Sequence, residues 1–389
     1  MDDSPAQPTF TVAGDRLTLL DTGPGRFAAL LQLIEGARTS LRILYYIYAD
    51  DRSGRRISEA LAAAARRGVA VRVIVDGFGS DDAPRDFFDP LREAGASVCW
   101  FEPRWGRRFL VRNHQKLALA DAEGEARVIV GGFNIEDHYF EANGDAMWRD
   151  LGLLVEGPTA ARLAAYFDAL DGWIRQPRPI LRHLNRTLAR ASEAQGPTRW
   201  LFGGPNRRLS PWARALRADL RGAERIDMVA GYFTPGPTML RRLHRRGPAG
   251  KRVRVVTAAR SDNTATVAAA RFTYAGLLRR GVDIFEYQPA KLHTKLYVAD
   301  DVVHIGSANF DMRSLFINLE LMLRVEDRAF AAHVHAYVDG EVARSEAITP
   351  ACYKSRTGPI TRARQFLAYL VVGVLDPGVS RGLNLGFWR

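Results

Sequence analysis

The sequence carries one arrangement of features twice, and this repetition limits what the chain can fold into more than any other property. One copy holds His114, Lys116, a Gly131–Gly132 turn and Asn134; the other holds His293, Lys295, Gly306–Ser307 and Asn309. Flanking segments repeat in the same order. VRVIVDG at 71–77 answers VRVVTAA at 253–259, and Val98–Pro103 answers Ile284–Pro289. The offset stays at about 180 residues throughout, too long for a solenoid unit and suited to two domains of like fold.

Each half alternates strand-like and helix-like segments. In the first, Ser40–Tyr48 reads as a strand, Ile57–Arg67 as a helix closed by Gly68, Val69–Val75 as a strand, Pro84–Ala94 as a helix and Ser97–Phe101 as a strand. This order predicts an α/β protein of two similar α/β/α sandwich domains, each a mixed sheet flanked by helices, related by a pseudo-twofold. The domains are placed at residues 9–180 and 206–345, with a linker at 181–205 and a C-terminal extension at 346–389. The hairpin after the histidine segment is longer in the first half, with Gly131 ten positions beyond Asp121 but Gly306 only six beyond Asp300.

Successive strand side chains point to opposite faces, so His114 and Lys116 share a face, as do His293 and Lys295. The lysines carry weight because the sequence has only five among 55 basic residues, and two stand at equivalent positions. A compact ammonium is not interchangeable with a guanidinium in a tight site. Imidazole, ammonium and amide converging on one point suit a phosphate. A phosphodiester repels anionic nucleophiles and needs a proton on its leaving group. A neutral imidazole and a protonated one meet both needs.

The spacing His-x-Lys, followed by Asp121 or Asp300, resembles the HxKxxxxD signature of the phospholipase D superfamily, present twice. YYIYADD near Asp50, WRDLGLLVEGP at 148–158, GYFTP at 231–235 and NFDMRS at 309–314 are similar to bacterial cardiolipin synthases, and the resemblance runs from Leu17 to Ala343. Gln115 departs from it, standing where those synthases often carry Arg. The paired N-terminal transmembrane helices of some members have no counterpart in this sequence.

The resemblance implies phosphatidyl transfer through a phosphohistidine, with phosphatidylglycerol as substrate and without metal or cofactor. It assigns attack to His114 and acid–base work to His293, while the symmetry of the copies leaves the reverse assignment open. Lys116, Lys295, Asn134 and Asn309 would hold the non-bridging oxygens. Asp150 and Glu320, heading equivalent strands, would orient the imidazoles. Asp121 and Asp300 read as structural members fixing a turn. Arg112, Tyr48, Tyr232 and Ser307 are candidates for substrate contact. The remaining histidines (His138, His183, His244, His304, His333 and His335) read as ordinary core or surface groups, with His304 the best exception.

A net charge of +12 favours anionic partners. The Arg104–Arg112 run, interleaved with Trp105, Phe109 and Leu110, adjoins His114 and suits headgroups or substrate. Arg362–Leu375 places an apolar run behind an arginine cluster, which suits an interfacial anchor as well as a helix packed on the core. Cys99 and Cys352 form no disulfide framework. No cleavable signal and no apolar run of about 20 residues is present, so the expected setting is cytoplasmic and peripheral to the inner membrane, on anionic phospholipid. The sequence sets no oligomeric state.

Water in place of an alcohol makes the same machinery a phospholipase. A nuclease or other phosphodiesterase would need a long basic groove with stacking aromatics, and nucleic acid is the less favoured partner. A catalytically dead binding scaffold conflicts with intact His, Lys and Asn in both copies.

Overall fold

A computed structural model describes residues 7–102, 111–141, 144, 147–206, 208–240, 243 and 251–375. The two halves form two eight-stranded mixed sheets. In the first, the central strand Ser40–Tyr45 lies between Ala70–Asp76, its parallel neighbour, and Leu117–Ala120, its antiparallel one. In the second, Arg225–Ala230 lies in the same way between Arg252–Ala258 and Lys295–Ala299. Outward from the histidine-bearing side, Arg127–Gly131, Gly152–Glu156 and Asp15–Leu20 are matched by Val302–Gly306, Glu320–Glu326 and Thr198–Gly203.

That last pairing corrects the linker expected at 181–205. Thr198–Gly203 is the second sheet's counterpart of Asp15–Leu20, hydrogen-bonded along its length to Glu320–Glu326. Polar flanks hid a strand whose Trp200, Leu201 and Phe202 are all buried. Leu181–Ala191 is a helix, buried through Leu181, Leu184 and Leu188. The second sheet also reaches past residue 345, ending in Ser345–Ala347 at its other edge.

Burial of both sheet faces explains the strands' near-continuous apolar runs. Leu41, Ile43 and Tyr45 face an outer layer formed by helices Gly23–Glu35 and Arg52–Arg66. Leu216 and Tyr274, from helices Pro211–Gly222 and Thr264–Leu278, cover the second sheet in the same manner. The opposite faces meet in one continuous core shared by both halves, which includes Leu117, Leu153, Phe167, Leu296, Leu321 and Val334. The sandwiches are thus fused through their centre. This core fixes the relative position of two loop systems, and the site lies where they meet.

Beyond the second sheet, helices Pro350–Arg356 and Pro359–Tyr369 lead into a π-helical turn, Leu370–Leu375. The basic stretch with Trp105, Phe109 and Leu110, His244 and the terminal GFWR lie outside the described residues.

Candidate active site

His114 and His293 lie on extended segments just ahead of the strands Leu117–Ala120 and Lys295–Ala299, not within them. The reason is pairing across the halves. The His114 backbone N–H donates to the Leu319 carbonyl at 2.9 Å, and the His293 N–H donates to the Arg149 carbonyl at 2.8 Å. Each histidine is therefore anchored to the residue that precedes the other half's acidic side chain. Trp148 and Arg149 pair in parallel with Lys291 and Leu292, and an Asn113–Leu319 bridge answers them on the other side of the pseudo-twofold.

The side chains cross in the same way. His114 Nδ1 lies 3.1 Å from Glu320 Oε2, and His293 Nδ1 lies 2.6 Å from Asp150 Oδ2. Neither half supplies the carboxylate for its own histidine. With Nδ1 committed to an acceptor, each ring carries its lone pair on Nε2.

Both lysines are almost wholly buried beside the histidines. Lys116 Nζ donates to the His114 carbonyl at 2.7 Å, and Lys295 Nζ donates to the His293 carbonyl. Lys295 also lies 3.9 Å from Asp150 Oδ2. Burial, and then Lys295, push the Lys116 ammonium well below its usual range. Burial brings Lys295 down to about 8, against Asp150 and Glu320, which raise it. Two buried ammoniums, one of them depressed by the other, make a pocket that favours an anion.

Burial likewise keeps both imidazoles neutral. His114 is pushed well below its ordinary value by burial, then by Lys116, Lys295 and Arg112. His293 falls to about 3 through burial and Lys295, despite Asp150. The two carboxylates differ. Burial acts to raise Asp150, but Lys295 and His293 hold it below the usual range. Burial lifts Glu320 to about 7, although Lys116 and its hydroxyl partners oppose this.

The two carboxylates also have different neighbours, and the hydroxyls around Glu320 act to lower it rather than to raise it. Asp150 faces Gly132, where an added Cβ would come within 2.8 Å of both Asp150 Oδ2 and Lys295 Cδ. Glu320 instead faces Ser307, whose hydroxyl donates at 2.5 Å, and Ser314, whose hydroxyl donates at 2.7 Å. The buried Arg26 guanidinium steadies Asp150 from behind, donating to the Asp150 carbonyl at 2.5 Å and the Tyr139 carbonyl at 2.7 Å.

Asn134 and Asn309 are both buried near the turns. Asn134 Oδ1 accepts from the Ile47 N–H at 3.2 Å, and its Nδ2 donates to the Tyr139 hydroxyl at 3.1 Å, leaving one amide hydrogen uncommitted. Asn309 Oδ1 has no hydrogen-bond partner among the described residues. Asp121 and Asp300 adopt positive φ, 49° and 50°. Asp121 accepts from the Thr39 N–H at 2.7 Å, and Asp300 accepts from the Arg225 N–H at 2.8 Å. Both pin a hairpin turn to the start of the central strand, away from the histidines.

Two expected substrate contacts need correction. The Tyr48 ring packs on Phe87 and Phe88 in the outer core, and its hydroxyl lies 2.8 Å from Ser58 Oγ. The strand ends at Tyr45, so alternation no longer tells which way Tyr48 points. Tyr46 occupies the site instead, its ring 4.9 Å from the His114 ring and 5.1 Å from Lys116 Nζ. The one hydrogen of the Ser307 hydroxyl is donated to Glu320, and its oxygen accepts from the Leu321 N–H at 3.0 Å. Tyr232 does reach the site, edge-on to His293 at 5.9 Å. Tyr139 and Trp148 complete an aromatic wall around His293 at 5.3 and 5.2 Å. Arg112 stacks on Phe78 at 3.9 Å and adds positive charge near His114.

His304 turns away from the site and pairs with Asp219 at 2.7 Å. Gln115 links the Tyr166 hydroxyl, at 2.7 Å, to the Glu320 carbonyl, at 3.2 Å. Among the described residues no group of three His, Cys, Asp or Glu side chains is arranged to hold a metal ion.

The family described as "Cardiolipin synthase, PLD-like domain" matches residues 30–170 and 216–341, covering both copies of the motif. The chain belongs to this family. Cardiolipin synthase 1 of Bacillus anthracis is 32% identical over 327 residues, covering 80% of this chain and 63% of that protein. Cardiolipin synthase A of Pseudomonas fluorescens is 32% identical over 340 residues, covering 84% of this chain and 69% of that protein. The chain thus spans a little under two thirds of the Bacillus protein's length. Phosphatidylserine synthase from Haemophilus influenzae Rd KW20 shares the fold with a TM-score of 0.69 at 12% identity, over 97% of each chain. Polyphosphate kinase from Porphyromonas gingivalis aligns with 94% of this chain and 53% of its own, at a TM-score of 0.59 and 16% identity.

Proposed function

We propose that this member of the cardiolipin synthase family transfers a phosphatidyl group from one phospholipid to the hydroxyl of another, with phosphatidylglycerol as donor and acceptor. One observation carries the reading: two imidazoles, each bound through Nδ1 to the other half's carboxylate, share a buried pocket with two ammoniums. The family relatives, named as cardiolipin synthases, support the lipid.

In the proposed reaction His114 Nε2 attacks phosphorus, forming a P–N bond as the P–O bond to the departing glycerol breaks. His293 donates the proton that this glycerol takes up. The second phospholipid then gives its hydroxyl proton to His293, and its oxygen attacks phosphorus as the P–N bond breaks. Lys116, Lys295, Asn309 and the remaining Asn134 amide hydrogen hold the non-bridging oxygens. An anionic phosphate beside the lysines offsets their field and raises both imidazoles against the burial that lowers them, and the proposed reaction has His293 protonated in the complex. Assigning the proton to His293 follows from its partner. Asp150 stays ionised and stabilises an imidazolium, whereas Glu320 at about 7 is a weaker anion. The enzyme works at the surface of the membrane that holds its substrate.

The test incubates the purified protein with labelled phosphatidylglycerol and identifies the products by mass spectrometry. Cardiolipin plus glycerol supports transfer, and phosphatidic acid alone makes the protein a hydrolase. Inert lipid together with cleaved DNA would overturn the reading. His114→Ala and His293→Ala each abolish turnover. A phosphatidyl ester of p-nitrophenol, whose leaving group needs no proton, separates their roles. His293→Ala accumulates label on the protein and His114→Ala does not; label on the His114→Ala protein reverses the assignment.

A further inference from the structure

Among the described residues eight large hydrophobic side chains are exposed, and six of them lie between residues 360 and 375. Ile360, Leu367 and Val371 are 79%, 57% and 54% exposed and follow one another at helical spacing, with Val374 and Leu375 continuing the stripe. The inward face holds Gln365, Tyr369 and Gly373, and the Phe366 and Tyr369 rings pack on Phe272. Gln365 and Tyr369 are only 6% and 8% exposed, and the Tyr369 hydroxyl donates to the Pro235 carbonyl at 3.0 Å. Beneath them lies a cavity of about 150 Å³ lined by Arg271, Glu286, Tyr353 and Gln365. In water the hydrophobic effect disfavours leaving Ile360, Leu367 and Val371 outside. The exposed stripe fits an apolar medium on its outer side.

The charges point to the nature of that medium. Lys354, Arg362 and Arg364 are exposed, Arg356 is exposed but paired with Glu346, and residues 347–375 contain no Asp or Glu. Basic side chains beside an apolar stripe suit an anionic lipid surface. No helix among the described residues is long and apolar enough to cross a membrane, so the segment would lie in the interface plane. The location also fits. Pro235, which holds Tyr369, lies three residues beyond Tyr232, whose ring packs on His293.

We propose that the outward face of residues 359–375 docks on an anionic bilayer and holds the rim of the site, at Tyr232–Pro235, against the headgroups. Its purpose rests on the phosphatidyl-transfer reading, but its detection does not.

The experiment sediments the full chain with vesicles of phosphatidylcholine, with or without phosphatidylserine, an anionic lipid distinct from the proposed substrate. The wild type binds the anionic vesicles. Leu367→Glu combined with Val371→Glu lowers the partition coefficient about a hundredfold, roughly tenfold for each lost apolar side chain. Arg362→Gln combined with Arg364→Gln weakens binding by about fivefold per charge and flattens its salt dependence. Both double variants keep wild-type turnover of substrate dispersed in detergent micelles and lose it on vesicles. Unchanged sedimentation of the Leu367/Val371 variant overturns the proposal. So does a wild type that ignores vesicles but forms a dimer which these substitutions dissociate, because the stripe is then a contact between copies. Absence of micellar turnover in the wild type would sink the functional reading while leaving the vesicle result standing.

Discussion

Gly132→Ala tests how closely the proposed catalytic arrangement is packed. The added Cβ would sit 2.8 Å from Asp150 Oδ2 and from Lys295 Cδ, and nearer still to Asp150 Oδ1. Ordinary van der Waals separation requires the carboxylate to give by about 0.6–1 Å. Asp150 has little freedom to do so: Oδ1 accepts from the Leu151 N–H at 2.7 Å, Oδ2 meets His293 at 2.6 Å, and its backbone is held by Arg26. The expected result is a His293–Asp150 hydrogen bond stretched beyond useful length. A displacement of about 1 Å at a reacting group lowers kcat about a hundredfold. Overpacking adds a stability loss of about 1–3 kcal/mol, too little to unfold a domain of this size. The assay measures cardiolipin formation from labelled phosphatidylglycerol, with a thermal melt alongside. The p-nitrophenyl ester, indifferent to the leaving-group proton, should label the variant's histidine at close to the wild-type rate. Activity within threefold of wild type, in a protein with unchanged melting behaviour, would refute the claim that Asp150 must hold His293 at this distance.

Other predictions follow from the same geometry. The pH profile of kcat/KM, which reports the free enzyme, should be bell-shaped. Activity falls below about pH 7 as Glu320 gains a proton and above about pH 8 as Lys295 loses one; a flat profile from pH 6 to 9 would contradict both assignments. Linkage gives the matching stability signs. Lys295 is depressed from 10.5, so the unfolded chain binds more protons between about pH 8 and 10.5, and this group's contribution rises with pH there. Glu320 is raised from 4.5, so its contribution falls as pH rises from 4.5 to about 7, and Glu320→Gln should remove that slope from a urea-melt series. Tyr48→Phe should leave turnover intact and cost about 1 kcal/mol or less, whereas Tyr46→Ala should lower kcat/KM by removing the ring against His114; the reverse pattern would overturn the correction made above.

The duplication, the α/β class and the paired histidines and lysines were legible because they rest on local pattern. Asp121 and Asp300 were readable for the same reason, since a strand-end turn is a short-range affair. What escaped depends on tertiary pairing. Thr198–Gly203 becomes recognisable as a strand only beside Glu320–Glu326, because Arg199 and the flanking polar residues obscure its periodicity. Tyr46 was passed over for Tyr48 because the strand was read on to Tyr48 and its last residue taken to line the pocket, whereas the strand ends at Tyr45. The crossing of the carboxylates joins residues 143 and 206 positions apart, and no local signal distinguishes it from an uncrossed arrangement. Ser314 and Arg26, which support the two carboxylates, were missed for the same reason.

The crossed pairs have a consequence for how such a site acquires its division of labour. If two identical subunits met across a true twofold, both histidines would have the same carboxylate in the same surroundings, and neither could be tuned without the other. Joining the halves in one chain lifts that restriction. Gly132 faces Asp150 on one side while Ser307 and Ser314 face Glu320 on the other. Because each histidine takes its acid from the opposite half, a change in one half retunes the imidazole carried by the other. Covalent fusion thereby lets an arrangement built by symmetry hold two unlike protonation states.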